Sequence, residues 1–281
     1  MSQLIIEPES WLYHQFSQLI EDADLVFFAG LPGVGKSLLL QQLTLMARAA
    51  GRRVTLLQWD VARQPFETPR YPLSEGATHP LVINATGLWL RAALADWDAR
   101  AKKPGDMLIG EAPFIGGRCM EIARSMADEA EALLSNERTQ FLIPVPSRPI
   151  RALIEDRRAR SIAAPQHENE THDAPPDLLR ALWLDVYRVG VALGLAEEAA
   201  GESAYSPAVY EAVYRQLLRH RHARVLPVNE PLQPTASVYD QMTTLPYLQA
   251  TRAQAQALLR KLEAVKTPAQ AIADMERWYK V

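Results

Sequence analysis

Five short apolar runs, separated by longer segments of helical period, constrain the fold of this chain more than any other feature. The runs lie at 25–29 (LVFFA), 54–58 (VTLLQ), 107–110 (MLIG), 141–145 (FLIPV) and 225–228 (VLPV). Each has about the length of a strand, and most are apolar throughout rather than alternating, which suits parallel strands covered on both faces. Pro144 and Pro227 count against the last two, because proline cannot donate to a strand ladder. Between the runs, residues 35–50, 86–101, 118–135, 149–162, 176–196 and 207–220 place apolar side chains at i, i+3 and i+4, the spacing of one helix face. Such alternation predicts an α/β fold, a three-layer sandwich on a five-stranded parallel sheet. Extra helices are expected at both termini, over 10–21 and 250–279. The second is broken near KTPAQ, where Thr267 and Pro268 suit an N-cap and a first helical residue. The 281 residues read as one domain, with a core over about 25–245 and a helical extension over about 246–281. The terminal helices either cover the sheet or pair with a second copy in a homodimer, and amphipathicity does not separate the two.

The first run leads straight into Gly30-Leu31-Pro32-Gly33-Val34-Gly35-Lys36-Ser37, the pattern G-x-x-x-x-G-K-[ST], with an amphipathic helix immediately behind it. Glycines let the backbone curl until successive N–H groups face inward, and the helix N-terminus adds its dipole. In such a cradle Lys36 reaches the β- and γ-phosphates of a nucleotide and Ser37 ligates Mg²⁺. Residues Gly30 to Ser37, with Leu38 behind them, are the candidate nucleotide-binding set. These residues resemble the P-loop, or Walker A, nucleoside triphosphatase superfamily, and the resemblance implies ATP or GTP with Mg²⁺.

Ligands of open parallel sheets sit beyond the carboxyl ends of the strands. The second run ends in Gln58-Trp59-Asp60 and the third in Gly110-Glu111, so two carboxylates are expected to face the glycine loop. Glu111 stands where a carboxylate holds Mg²⁺ directly or through water, and Asp60 is placed to accept a proton from an alcohol. Either acid also suits a helix cap. Seven residues beyond Glu111 comes Arg118, through GEAPFIGGR. The arrangement looks like that of the nucleoside and nucleotide kinase group, in which an arginine at about this spacing steers the acceptor. Ala112 stands where a deoxynucleoside kinase has arginine, so the resemblance carries no nucleoside specificity. The stretch 63–80 (RQPFETPRYPLSEGATHP), too irregular for an element, is expected to pack as a loop near a site, and Trp59, Arg63, Phe66 and Tyr71, which follow the second run, either line an acceptor pocket or simply pack.

After the fourth run, VPSRPIRALIEDRRARS holds Arg148, Arg151, Arg157, Arg158 and Arg160, followed by a polar, His- and Pro-rich excursion at 163–176. A helix ending in R-R-x-R before such a segment looks like the lid of P-loop kinases, placed here at about 149–176. The resemblance gives Arg157, Arg158 or Arg160 the role of closing over the transferring phosphoryl group, which guanidinium suits because it stays charged and binds phosphate bidentately. At helical spacing Arg151 and Arg158 share a face. A solvated basic face paired with Glu155 and Asp156 is the plain alternative. P-loop kinases often contact adenine through backbone in the place held here by VLPVNEP at 225–231.

Other features exclude more than they assign. His220 and His222 cannot face one way on a helix, and His167 and His172 lie in the polar excursion, so no zinc site is expected. Cys119 reads as a buried small apolar residue or as a neighbour of the acceptor. A single cysteine allows no intramolecular disulfide, the start MSQLIIEPESWLYHQF lacks the features of a signal peptide, and no apolar run approaches ~20 residues. A reducing, cytoplasmic setting without membrane contact is therefore expected. The net charge of −3 leaves no electrostatic footprint for nucleic acid. An Asn-Lys-x-Asp guanine reader and an Asp-x-x-Gly switch are both missing, against a GTPase switch. What the pattern favours is a small-molecule kinase using ATP and Mg²⁺, with Asp60, Arg63, Glu111 and Arg118 near its acceptor. The alternative is a P-loop ATPase driving a protein or nucleic-acid partner.

Overall fold

Each of the five apolar runs is a strand in the computed structural model, which describes residues 4–74, 77–165, 167, 174–198, 201, 203–232 and 245–281. The amino-terminal half contains α1 (Trp11–Asp22), β1 (Leu25–Ala29), α2 (Lys36–Ala49), β2 (Arg53–Leu57), α3 (Trp59–Arg63), α4 (Pro80–Asp96) and β3 (Asp106–Ala112). Then come α5 (Met120–Ala123), α6 (Glu131–Leu134), β4 (Thr139–Pro146), α7 (Arg148–Ala163) and α8 (Pro176–Ala192). The chain ends with α9 (Pro207–Leu217), β5 (Ala223–Val228), α10 (Arg252–Val265) and α11 (Pro268–Glu276).

The strands form one parallel sheet in the order β2-β3-β1-β4-β5. Pro144 and Pro227 both sit within paired strands, Pro144 opposite Leu226 and Pro227 opposite Val145. Alternation along β1 sends Val26 and Phe28 to a core shared with Phe16 of α1 and Leu40 of α2, and Leu25 and Phe27 to a core with Trp89, Trp183 and Tyr214. The result is helices on both faces of a buried sheet. From β1 the chain winds toward β2, and from β4 it winds the other way, toward β5. The carboxyl ends of β1 and β4 therefore flank the point where winding reverses, the place where open α/β sheets bind ligands.

The terminal additions pack on helices of the core. α1 packs on α2, and α10 and α11 pack on α4. Residues 246–248 lie along β2: Leu56 N–H donates to Pro246 O at 2.8 Å and Leu248 N–H donates to Leu56 O at 2.8 Å. Those bonds occupy backbone groups of what would otherwise be a bare edge. Thr251 and Thr267 cap α10 and α11, each with a reciprocal glutamine three residues on.

Three expectations need correction. The helix expected at 86–101 begins at Pro80, capped by the His79 ring, and ends in a π-turn at Trp97–Ala101. The irregular stretch 63–80 contains the last residue of α3 and the 3-10 turn Gln64–Phe66. The continuous helix expected at 118–135 does not form. The backbone of α5 and of the residue after it gives its carbonyls to two buried arginines instead: Arg91 donates to Glu121 O and Arg124 O, and Arg221 donates to Ile122 O. Of the excursion at 163–176, residues 166 and 168–173, including His172, lie outside the described residues, as do 233–244 of the expected core. Among the described residues, no helix is long and apolar enough to cross a membrane.

Candidate functional site

The glycine loop joins the end of β1 to the start of α2. Gly33 and Gly35 hold left-handed conformations, with φ of 73° and 89°, and Gly35 is the N-cap of α2. A Cβ at Gly33 would also stand 2.8 Å from Leu179 Cδ1. The loop is clamped from a distant part of the chain. The Tyr210 hydroxyl accepts from Leu31 N–H at 3.2 Å. The buried Arg151 donates to the carbonyls of Pro32 and Gly33, both at 3.4 Å, and of Leu179 at 3.1 Å. Glu155 neutralises it at 2.8 Å, and its guanidinium lies over the Tyr205 ring.

Lys36 folds back into this loop, donating from Nζ to Leu31 O at 2.8 Å. Burial lowers its pKa from 10.5 to about 8; Glu111 and Asp60 oppose that shift, whereas Arg158 and Arg151 add to it. Ser37 Oγ donates to Glu111 Oε2 at 3.4 Å. Glu111 lies inside β3, in register with Phe28. Burial raises its carboxyl against the pull of Lys36, and Asp60 raises it further. Half-buried Ser37 thus meets Glu111 from 74 positions away, and the buried Lys36 and Glu111 act on each other electrostatically, all three at the ends of β1 and β3.

Asp60 sits in the first turn of α3, exposed, with Arg63 Nε donating to it at 3.0 Å. Arg63 also pairs with Glu67. The charge of Asp60 reaches Lys36, Glu111 and Arg118, all of which lie at or just beyond the carboxyl ends of β1, β2 and β3. Arg118 donates from Nη1 to Ile115 O at 2.9 Å, and burial pushes its guanidinium down.

The arginines of α7 divide. Arg158 shares its face with Arg151, and both act electrostatically on Lys36. Arg157 donates to Leu232 O at 2.7 Å, Arg160 is exposed beside Asp156 O of its own helix, and Arg148 donates to Tyr205 O. Trp59, Phe66 and Tyr71 are core residues, and the Tyr71 hydroxyl donates to Glu263. Cys119 is buried, and burial raises its thiol well above the ordinary range.

Two parts of the site escaped assignment from sequence. The clamp by Arg151 carried a signal, its seven-residue spacing from Arg158. Tyr210 carried none, being one aromatic among several on the buried face of α9. Among the described residues no three His, Cys, Asp or Glu side chains gather as a metal site. Comparison of the chain with protein-family models, with curated proteins and with solved structures finds no match.

Proposed function

We propose that this chain is a P-loop kinase-type phosphotransferase that moves the γ-phosphoryl group of Mg-ATP to a hydroxyl or phosphate acceptor. The observation that carries the reading is the convergence of Lys36, Ser37 and Glu111 behind a glycine loop, with the charge of Asp60, at the same edge of the sheet, acting on Lys36. The donor set fits magnesium: a hydroxyl and one carboxylate are hard oxygens, and nucleotide phosphates and water complete such a shell. Ser37 and Glu111 would hold Mg²⁺, which would supply charge neutralisation for the nucleotide phosphates.

The chain's own residues supply the rest. The N–H groups of the loop and of the first turn of α2 receive phosphate oxygens. Lys36 exchanges Leu31 O for phosphate, which restores the full charge that burial disfavours. Asp60 accepts the proton of an acceptor hydroxyl as the new O–P bond forms and the bond to ADP breaks. Arg158, on the face of α7 turned toward Lys36, stabilises charge on the transferring group. Arg157 and Arg160 contribute only if α7 or its continuation moves. Closure excludes water, which competes as acceptor.

Incubation with terminally labelled ATP and a panel of small-molecule acceptors tests the reading. Label transfers to a small molecule, and both Lys36→Ala and Asp60→Asn reduce transfer by about 100-fold or more. Slow, acceptor-independent hydrolysis stimulated by DNA, RNA or a protein would instead support a partner-coupled P-loop ATPase.

A further inference from the structure

The turn that carries Arg118 is held in a conformation chains avoid. Phe114 and Cys119 have φ of 60° and 63°, and Gly116 and Gly117 between them have φ of 63° and 85°. Left-handed backbone at a non-glycine residue costs about 1 kcal/mol or more and persists only where the surroundings enforce it. Here they do. Phe114 and Cys119 are fully buried, the Tyr214 hydroxyl donates to Pro113 O at 2.8 Å, and Phe114 N–H donates to Arg118 O at 3.0 Å. The side chain this rigid turn presents is Arg118.

Arg118 is half-buried, and its partners are unlike those of the buried arginines. Arg91 meets Asp128 and Glu131, Arg151 meets Glu155, and Arg221 meets Glu131, all within 2.9 Å. Among the described residues, Arg118 has no ion pair and donates one hydrogen bond, to Ile115 O, with its guanidinium folded over Gly116. The neighbouring Arg63 is already engaged by Asp60 and Glu67. A guanidinium cannot shed its charge, so one withdrawn from water without a carboxylate is a receptor for an anion. It offers a planar fork that fits carboxylate and phosphate bidentately. Asp60 follows β2 and Arg118 follows β3 at the carboxyl edge of the sheet that also carries the glycine loop, and the charge of Asp60 acts on both Lys36 and Arg118.

We infer that the acceptor is a hydroxylated oxyanion, a hydroxy acid or a phosphate ester, whose anionic group is held by Arg118 while its hydroxyl meets Asp60. This inference rests on the phosphotransferase reading. It makes Arg118 the residue that selects the acceptor, and it predicts that neutral polyols and sugars are poor ones.

Matched pairs test it: hydroxy acids against their amides, and sugar phosphates against the free sugars. Each is titrated calorimetrically into the whole protein, with and without a non-hydrolysable ATP analogue. At least one anion binds tenfold or more tighter than its neutral partner. Arg118→Gln removes that preference, Arg118→Lys retains part of it, and affinity for the ATP analogue is unchanged in both. Equal binding of all pairs, or a preference that survives in Arg118→Gln, overturns the inference. Should Arg118→Gln fail to fold, phenylglyoxal labelling of Arg118 in the unaltered protein decides: preferred anions slow it and their neutral partners do not, and equal effects overturn the proposal. Failure of the phosphotransferase reading shows separately, as ATP-analogue binding that is absent or that survives in Lys36→Ala.

Discussion

At the scale of single residues, the site was legible where its chemistry lies in one contiguous string. Gly30 to Ser37 could be read because a curled backbone, a lysine and a hydroxyl must follow one another at fixed spacing. Glu111 and Asp60 could be read because each follows an apolar run, so the strand itself aims them. The residues that fix the loop could not. Tyr210 and Arg151 meet it from 179 and about 119 positions away, and no local spacing encodes such a contact. Their effect is nevertheless measurable through Lys36. Burial, reinforced by Arg158 and Arg151, sets its pKa at about 8 in the free protein. A bound polyphosphate favours the ammonium, so between the free and bound pKa values binding takes up a proton. On the phosphotransferase reading, ATP affinity is therefore flat below about pH 8 and falls by up to about tenfold per unit above it. Titration with a fluorescent ATP analogue from pH 7 to 10 reads this directly. Lys36→Arg, which keeps its charge throughout, flattens the curve; a flat curve for the unaltered protein rules out Lys36 as the titrating contact.

At the scale of elements, periodicity found the strands and most helices because burial on one or two faces writes itself into the sequence at period 3.6 or as a short apolar run. It failed at 118–135, where apolar spacing is helical but two arginines compete for the backbone. Arg91 and Arg221 gather the carbonyls of Glu121, Ile122 and Arg124 together with the carboxylates of Asp128 and Glu131. Burial pushes the Glu131 carboxyl up, but Arg221 and Arg91 more than reverse that and hold it well below the usual range. The cluster replaces one helix by two short ones, α5 and α6, and Arg118 lies on the turn before the first of them. No sequence rule reveals this, because the arginines come from α4 and from the turn before β5. Removing Arg91 leaves the half-buried Glu131 carboxylate and the buried Glu121 carbonyl without their donor, which costs about 2–3 kcal/mol. Arg91→Met should show that loss as a lower urea midpoint with little change in slope. A loss below about 1 kcal/mol would mean that the break in the helix has another cause.

At the scale of the whole molecule, the two edges of the sheet divide the work. The carboxyl edge carries the candidate site, where burial works against the charge of Lys36, Glu111 and Arg118. The amino edge is fastened at Asp24, just before β1. Its carboxylate meets Arg138 ahead of β4 and Lys102 ahead of β3, each at 2.8 Å, and Arg52 ahead of β2 at 3.5 Å. One buried acid thus ties the entry points of four strands. Hydrogen bonding to Arg138, and then to Lys102, outweighs burial and lowers the Asp24 pKa from 3.8 to about 2. A carboxylate with a depressed folded pKa contributes stability that is complete above its unfolded value and fades as pH falls toward the folded one. The contribution is about 2 kcal/mol at neutral pH, the equivalent of the cited shift. Asp24→Asn has none of it to lose. Urea unfolding at pH 7 should therefore separate the variant from the unaltered protein by about this amount, and the gap should close between pH 4 and 2. ATP-analogue affinity, read at the opposite edge, should stay the same. A gap independent of pH would show that the amino edge is held by packing and not by the charge on Asp24.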